Sequence, residues 1–232
     1  MTVPHSTLPE SVAARFSIIA ETLAERRSCR AFLPGEVPRP VIEAVLRAAQ
    51  HAPSWSNVQP WHVSIVSGAA LAELIAGFAD PDIDRGPDLE FPQRYDGVYR
   101  DRRRATGWQL YDALGIERGD RAASAAEAAR NFEFFGAPHG AVVTTERSLG
   151  AYGVLDCGFF VQAFLTAAEA AGLGAIAQAS IASRASFLHT RLSIPKSRVV
   201  VCGIAFGYSD LTHPSAGLRT QRAELDDVAT FL

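Results

Sequence analysis

Two apolar runs, Ala141 to Thr145 and Val199 to Phe206, are too short for helices and lack the polar alternation of half-exposed strands. They predict central strands buried on both faces, so helices must lie above and below a single sheet. Between them lies the most apolar stretch, Val154 to Ala177, interrupted by Asp156, Gln162 and Glu169. Its uncharged part is too short to cross a bilayer and predicts a buried helix. Gly172-Leu173-Gly174 ends that helix, Ala175 to Ala177 reads as a short extended piece, and Ser183 to Leu192 as a further helix.

The first half supplies more of the helical cover. Ser11 is positioned to cap a helix over Val12–Glu25, with Phe16, Ile19, Ala20 and Leu23 as its apolar stripe. A second helix starts at Pro40, carries Val41, Val45, Leu46 and Ala49 on one side, and stops before Pro53. Trp61 to Val66 alternates as a strand, and Ala69 to Ala79 reads as a short helix. Asp80 to Gly97 is rich in Pro, Gly and Asp, a loop longer than a simple connection needs. Helices over Tyr99–Leu114 and Arg121–Phe135 follow. With no internal repeat and no dividing linker, the expectation is one domain over residues 1–232. The expected fold is α+β, a mixed sheet of four to five strands covered by helices. The irregular order argues against a doubly wound nucleotide fold.

The net charge is −3, with 22 Lys and Arg against 25 Asp and Glu, so nothing draws the whole chain to nucleic acid or anionic lipid. Cys29, Cys157 and Cys202 are odd in number and lack metal-ligand spacing. No metal site is expected, the six histidines show no ligand spacing either, and a reducing cytoplasm fits. The amino terminus does not read as a signal peptide.

Against this neutral background two segments stand out. In Arg26-Arg27-Ser28-Cys29-Arg30, an extended backbone puts Arg26, Ser28 and Arg30 on one face and Arg27 and Cys29 on the other. Arginine forks suit a phosphate; the competing reading is a solvated basic turn. Pro53-Ser54-Trp55-Ser56-Asn57-Val58-Gln59-Pro60-Trp61 gathers hydroxyls and amides able to meet a planar polar ring, or simply to satisfy their own turn.

Both segments, with Phe135-Gly136-Ala137-Pro138, Gly172-Leu173-Gly174 before Gln178, and Val201 to Tyr208, occur in the order found in the FMN-dependent nitroreductase family. The chain resembles that family from about Arg15 onward, and within it the branch that reduces nitroaromatic acids such as nitrobenzoate. The resemblance implies a homodimer with FMN at the subunit interface. Electrons would pass from NADH or NADPH through flavin N5 in a ping-pong hydride transfer, taking a nitro group through nitroso to hydroxylamine. It implies Arg26, Arg27 and Ser28 at the phosphate and ribityl chain, and Arg30 near O2 and N1, where a cation stabilises the reduced flavin. It implies that Pro53, Ser54 and Trp55 reach the partner's flavin, with Asn57 and Gln59 at cofactor-binding polar positions of the same loop, and that Gln178, Ala179 and Ser180 run along the ring with a backbone N–H toward N5. Arg219 and Arg222 would close over the phosphate. No side-chain acid or base is assigned. Residues 80–120 would form a lid-like insertion, its arginines receiving a carboxylate or merely pairing with Asp96 and Asp101. The tail at 209–232 would pack on the partner subunit. A quinone reductase, an oxidase, a flavin-fragmenting enzyme and a non-catalytic flavin binder remain alternatives within the same resemblance.

Overall fold

The computed structural model describes residues 9–232. Its centre is a four-stranded sheet of β1 (His62–Ser67), β2 (His139–Glu146), β3 (Gly174–Gln178) and β4 (Arg198–Gly207), in spatial order β1-β2-β4-β3. Every ladder pairing is antiparallel. The expected mixed character is confined to one parallel bridge between Ser28 and Ala175, which lays Arg26–Arg30 along the β3 edge. The remaining helices are α1 (Glu10–Glu25), α2 (Arg39–Ala49), α3 (Gly68–Ala79), α4 (Gly97–Ala113), α5 (Arg121–Ala129), α6 (Gly150–Ala170), α7 (Ala179–Ala182) and α8 (Ala185–Arg191).

The two central strands are buried on both faces, as their composition requires. Successive side chains alternate between two cores. Ala141, Val143, Ile204 and Phe206 face α2 and α6, meeting Phe160, Phe164 and Val45. Val142, Val200 and Ala205 face the opposite layer of Leu74, Phe134, Ile181 and Leu188. Each such large side chain stabilises by about 1.5–3 kcal/mol relative to exposure, so the sheet is the rigid reference for everything attached to its edges.

Several boundaries differ from the sequence expectation. Helix α1 begins at Glu10 after Pro9, which places Ser11 inside its first turn, and the Phe16, Ile19 and Leu23 stripe is solvent-exposed instead of entering the core. The helix expected over Arg121–Phe135 ends at Ala129 and tightens into a 3₁₀ stretch, where Phe134 and Phe135 take left-handed backbone angles. Both rings are buried, so core packing outweighs the local strain. The helix expected over Ser183–Leu192 is α8, Ala185–Arg191, and an additional four-residue helix, α7, precedes it at Ala179–Ala182. Helix α6 belongs to a 24-residue segment long and apolar enough to cross a membrane by length and composition. Here it packs as a core helix, burying Asp156, Cys157, Phe160 and Phe164 while exposing Tyr152, Leu155 and Phe159.

The β3 edge is knotted at one point. A Cβ at Gly174 would meet Ser209 Oγ and Cys29 Sγ at 2.2 and 2.8 Å, so only glycine lets both segments close on this strand. Cys29 is buried, as expected for the face turned away from a ligand, and its thiol donates to the Ala31 carbonyl at 3.1 Å. Burial pushes the Cys157 and Cys202 thiols up to about 11 and about 12, which leaves neither as a thiolate at neutral pH.

His139 on β2 is 3% exposed and serves structure. Its Nε2 accepts the Val37 N–H at 2.9 Å, so Nδ1, 2.5 Å from Ser67 Oγ, carries the proton and donates it there. Burial holds the ring's pKa below the ordinary imidazole value against the opposing pull of Glu36. The unfolded chain takes up a proton near pH 6.5 that the folded chain refuses, so this stability is complete above about pH 6.5 and is lost as the pH falls. Denaturant unfolding is expected to show stability falling as the pH drops below about 6.5. A His139→Gln variant should lack that slope; an equal slope in both would refute the assignment.

Candidate active site

Helix α1 ends at Glu25, and Arg26 leaves it with extended angles that lead straight into the bridge at Ser28. The chain's far end returns to the same place. Leu218 to Arg222 lie across a cleft of roughly 790 Å³ from Arg26, Arg27, Ser28 and Arg30, with Thr106 of α4 between them. Among the described residues, five arginines thus line one opening, and no carboxylate does. Among the described residues, none of Arg26, Arg27, Arg30, Arg219 and Arg222 forms a salt bridge. Arg219 and Arg222 donate to oxygens of their own segment, at Ala216, Leu218, Thr220 and Gln221. Such a cluster repels itself unless an anion joins it.

Arg27 departs from the expected alternation, because it lines the cleft together with Arg26 and Ser28. A long arginine stem can turn its head group around a strand edge. Arg30 sits where this cleft meets a second one lined by Arg103, Arg104, Thr106, Gly107, Trp108, Leu110 and Tyr111 of α4. Burial lowers the Arg30 pKa from its ordinary value, Arg130 adds to the lowering, and Glu127 opposes it.

Helix α4 and the turn that leads into it sort their arginines into two sets. Arg94 pairs with Asp96 and Arg100 with Asp101, the pairing the sequence allowed, and Arg102 approaches Asp227 of the tail at 3.8 Å. Arg103 and Arg104 have no acidic partner among the described residues; Arg103 lies over the Tyr95 ring at 5.3 Å. Trp108 and Tyr111 meet edge to face at 5.9 Å beside them. No residue of α4 is buried, so the helix is held over the cleft by little apolar contact.

Gln178 ends β3, the strand bridged to Ser28. It is 2% exposed, its Nε2 donates to the Asn131 carbonyl at 2.8 Å, and its Oε1 is buried without a hydrogen-bond partner among the described residues. Ala177 and Ala179 on either side of it are exposed, and Ser180 is half-buried. Gln178, Ala179 and Ser180 share this edge of the sheet with the arginine cleft but do not line it.

The Pro53–Trp61 segment lies elsewhere. It leads into β1, at the opposite edge, three strand spacings of about 4.8 Å away. Ser54 Oγ accepts the Gln59 N–H at 2.9 Å, and Gln59 Nε2 donates to the Asn57 carbonyl, so much of its polarity closes on itself. Ser56, Asn57 and Gln59 nevertheless hold positive φ, a strained arrangement pinned at both ends. The Trp55 N–H points at the buried Asp156 carboxylate at 3.3 Å, and Arg198 donates to the Pro60 carbonyl at 3.0 Å. Trp55 and Ser56 line a separate cleft with Leu149, Tyr152 and Asp156. Within one chain, the structure therefore does not bring Pro53, Ser54, Trp55, Asn57 and Gln59 to the arginines.

Residues 23–208 match the model of the Nitroreductase family. The chain belongs to the nitroreductase family. As a member of that family it is an oxidoreductase. It is 36% identical over 235 residues to nitroreductase NfnB of Mycolicibacterium smegmatis, spanning 100% of this chain and 99% of that protein. It is 35% identical to a 4-nitrobenzoate reductase of Nocardioides, covering 98% of this chain and 97% of that one. The crystal structure of the FMN-dependent NfnB of Mycobacterium smegmatis in complex with NADPH superposes with a TM-score of 0.86 at 35% identity, covering 94% of this chain and 99% of that one. Sequence reasoning within this nitroreductase missed Thr106, Leu218, Thr220 and Gln221 as cleft walls, and also the Glu127 and Arg130 pair behind Arg30. Only the i,i+3 spacing of Glu127 and Arg130 was a signal, and it resembles any surface ion pair.

Proposed function

We propose that this chain is an FMN-dependent oxidoreductase that takes electrons from NADPH or NADH and reduces nitroaromatic compounds, nitrobenzoate-type acids among them. The observation that carries the reading is the cleft of five arginines without a carboxylate, built from both ends of the chain. A phosphate monoester of charge about −1.5 to −2 answers that excess. The residues fit FMN: Arg26, Arg27, Ser28, Arg219 and Arg222 would hold its phosphate and ribityl chain, and Arg30 the pyrimidine edge of its ring. The unpartnered Oε1 of Gln178 marks polar capacity left open along the same edge. FMN, when bound, supplies the reversible uptake and release of a hydride. The protein's own groups bind, orient and place charge. The NADPH complex of the solved relative favours NADPH as donor.

The reading includes a homodimer. The arginines and the Pro53–Trp61 segment line separate clefts at opposite edges of the sheet, and in this reading Pro53, Ser54, Trp55, Asn57 and Gln59 serve the partner's FMN. Exposed Ile18, Ile19, Tyr152, Leu155 and Phe159 supply apolar surface for the partner, as do Val228, Phe231 and Leu232 of the tail. The tail has a double duty in this reading, since Leu218–Arg222 already wall the cleft of their own chain. Residues 80–120 act as the lid, with Arg103 and Arg104 taking the substrate's carboxylate against Trp108 and Tyr111. Three free cysteines fit a reducing, cytoplasmic setting.

The test is direct. Purified protein supplied with FMN should be yellow, should bleach anaerobically with NADPH, and should recover its colour when 4-nitrobenzoate is added. A colourless protein refutes the cofactor, and a yellow one that NADPH and NADH leave unbleached refutes the reductase. Replacing Arg103 and Arg104 by alanine should raise KM for 4-nitrobenzoate about tenfold, the loss of one charge-assisted contact, and leave KM for nitrobenzene nearly unchanged. Equal effects on both substrates would exclude a carboxylate role.

A further inference from the structure

Behind Arg30 lies an ion pair that the motif-bearing segments do not include. Arg130 Nη2 donates to the Arg30 carbonyl at 2.7 Å, while its Nη1 pairs with Glu127 Oε2 at 3.1 Å. The Arg130 guanidinium also lies over the buried Phe135 ring at 5.5 Å. The side chains of Glu127 and Arg130 are only 9% and 27% exposed. An i,i+3 pair on a helix normally sits in solvent and contributes little. Here Glu127 Oε1 is buried with no hydrogen-bond partner among the described residues, which costs stability that the pair alone does not return.

We propose that Glu127 and Arg130 are positioning residues that fix Arg30 and set the electrostatic potential it presents to the flavin ring. Arg130 anchors the Arg30 main chain, and the guanidinium that reaches the junction of the two clefts starts from that anchored point. The two charges act on it with opposite sign: Glu127 favours the Arg30 cation and Arg130 disfavours it. Together they leave the junction less positive than Arg30 and Arg130 would without Glu127. The brace therefore moderates the preference of the site for a reduced, anionic flavin. The proposal rests on the FMN reading above.

The experiment measures the reduction potential of FMN bound to the full-length protein, by equilibration with a reference dye, in the wild type, Glu127→Gln, Arg130→Gln and Glu127→Asp. Removing the carboxylate charge should move the two-electron potential positive, the reduced-to-oxidised affinity ratio rising about tenfold, ~30 mV. Removing the Arg130 charge should move it negative by a similar factor, and Glu127→Asp, which keeps the charge, should stay near wild type. A structural brace alone would give no such reversal of sign. Potentials equal to wild type in both Gln variants, or shifts of one sign in both, overturn the proposal. Should Glu127→Gln fail to fold, the negative shift of Arg130→Gln decides alone; failure of both to fold makes the pair core members and also overturns it. If wild-type protein binds no FMN, the cofactor reading itself falls, whereas bound FMN with unmoved potentials removes only the brace.

Discussion

Replacing Arg26 or Arg222 by alanine is expected to weaken FMN binding by about 10- to 100-fold, the equivalent of about 1.5–3 kcal/mol for a hydrogen bond to a charged group. The apoprotein should keep its melting temperature, because neither side chain belongs to a core cluster or to a salt bridge among the described residues. Removing one guanidinium even relieves repulsion within a cleft that holds five. A lysine at either position should recover only part of the loss, since it restores charge without the planar fork. Fluorescence titration of apoprotein with FMN measures the effect. Unchanged affinity in both alanine variants would refute the phosphate site.

The second large effect concerns stability, and it falls on Asp88 between α3 and α4. Its carboxylate accepts from Arg147 at 2.7 Å, from His189 at 2.8 Å and from the Val200 N–H at 2.8 Å, with 11% of the side chain exposed. Asp88 thereby ties the loop after α3 to β4 and α8, helped by the Ser186 N–H on the Gly86 carbonyl. Burial pushes the Asp88 pKa up, but the bonds from Val200, Arg147 and His189 outweigh it and hold the group below the ordinary carboxylate range. Asp88→Ala leaves a backbone donor and two side chains without their acceptor. A loss of about 2–3 kcal/mol is expected, lowering Tm by about 5–10 °C in a chain of this length. With a depressed folded pKa, the contribution is complete above the unfolded value near 4 and disappears as the pH falls through the folded value. Wild type and Asp88→Ala should therefore converge in Tm at strongly acidic pH. A gap that persists there would show that the carboxylate charge is not the cause.

The central strands were legible because Ala141–Thr145 and Val199–Phe206 admit only one environment, and all three of their ladders form there. What periodicity could not show is where sequence-distant segments meet. Arg26 and Arg222 share a cleft because the segment after α1 bridges the β3 edge through Ser28 and the segment after β4 pairs with it through Phe32 and Ser209, and no local pattern encodes that meeting. It was the resemblance to a family that joined them. The Arg121–Phe135 helix failed for a different reason: its alanines favour helix, but Phe134 and Phe135 gain more by entering the core than the backbone loses in left-handed angles. Arg27 escaped the two-residue alternation through the reach of its stem, a freedom that a backbone rule does not describe. Glu127 and Arg130 looked like surface residues because only the tertiary fold covers them.

The contact of Cys29 and Ser209 on the bare α-carbon of Gly174 has a kinetic consequence. The two jaws of the arginine cleft are joined there and by the backbone bonds of Leu33 to Tyr208 and of Asp210 to Ala31, so neither opens without disturbing the other. Heating should release the ligand in one cooperative step, early in unfolding, while the doubly covered strands at the middle of the sheet still hold.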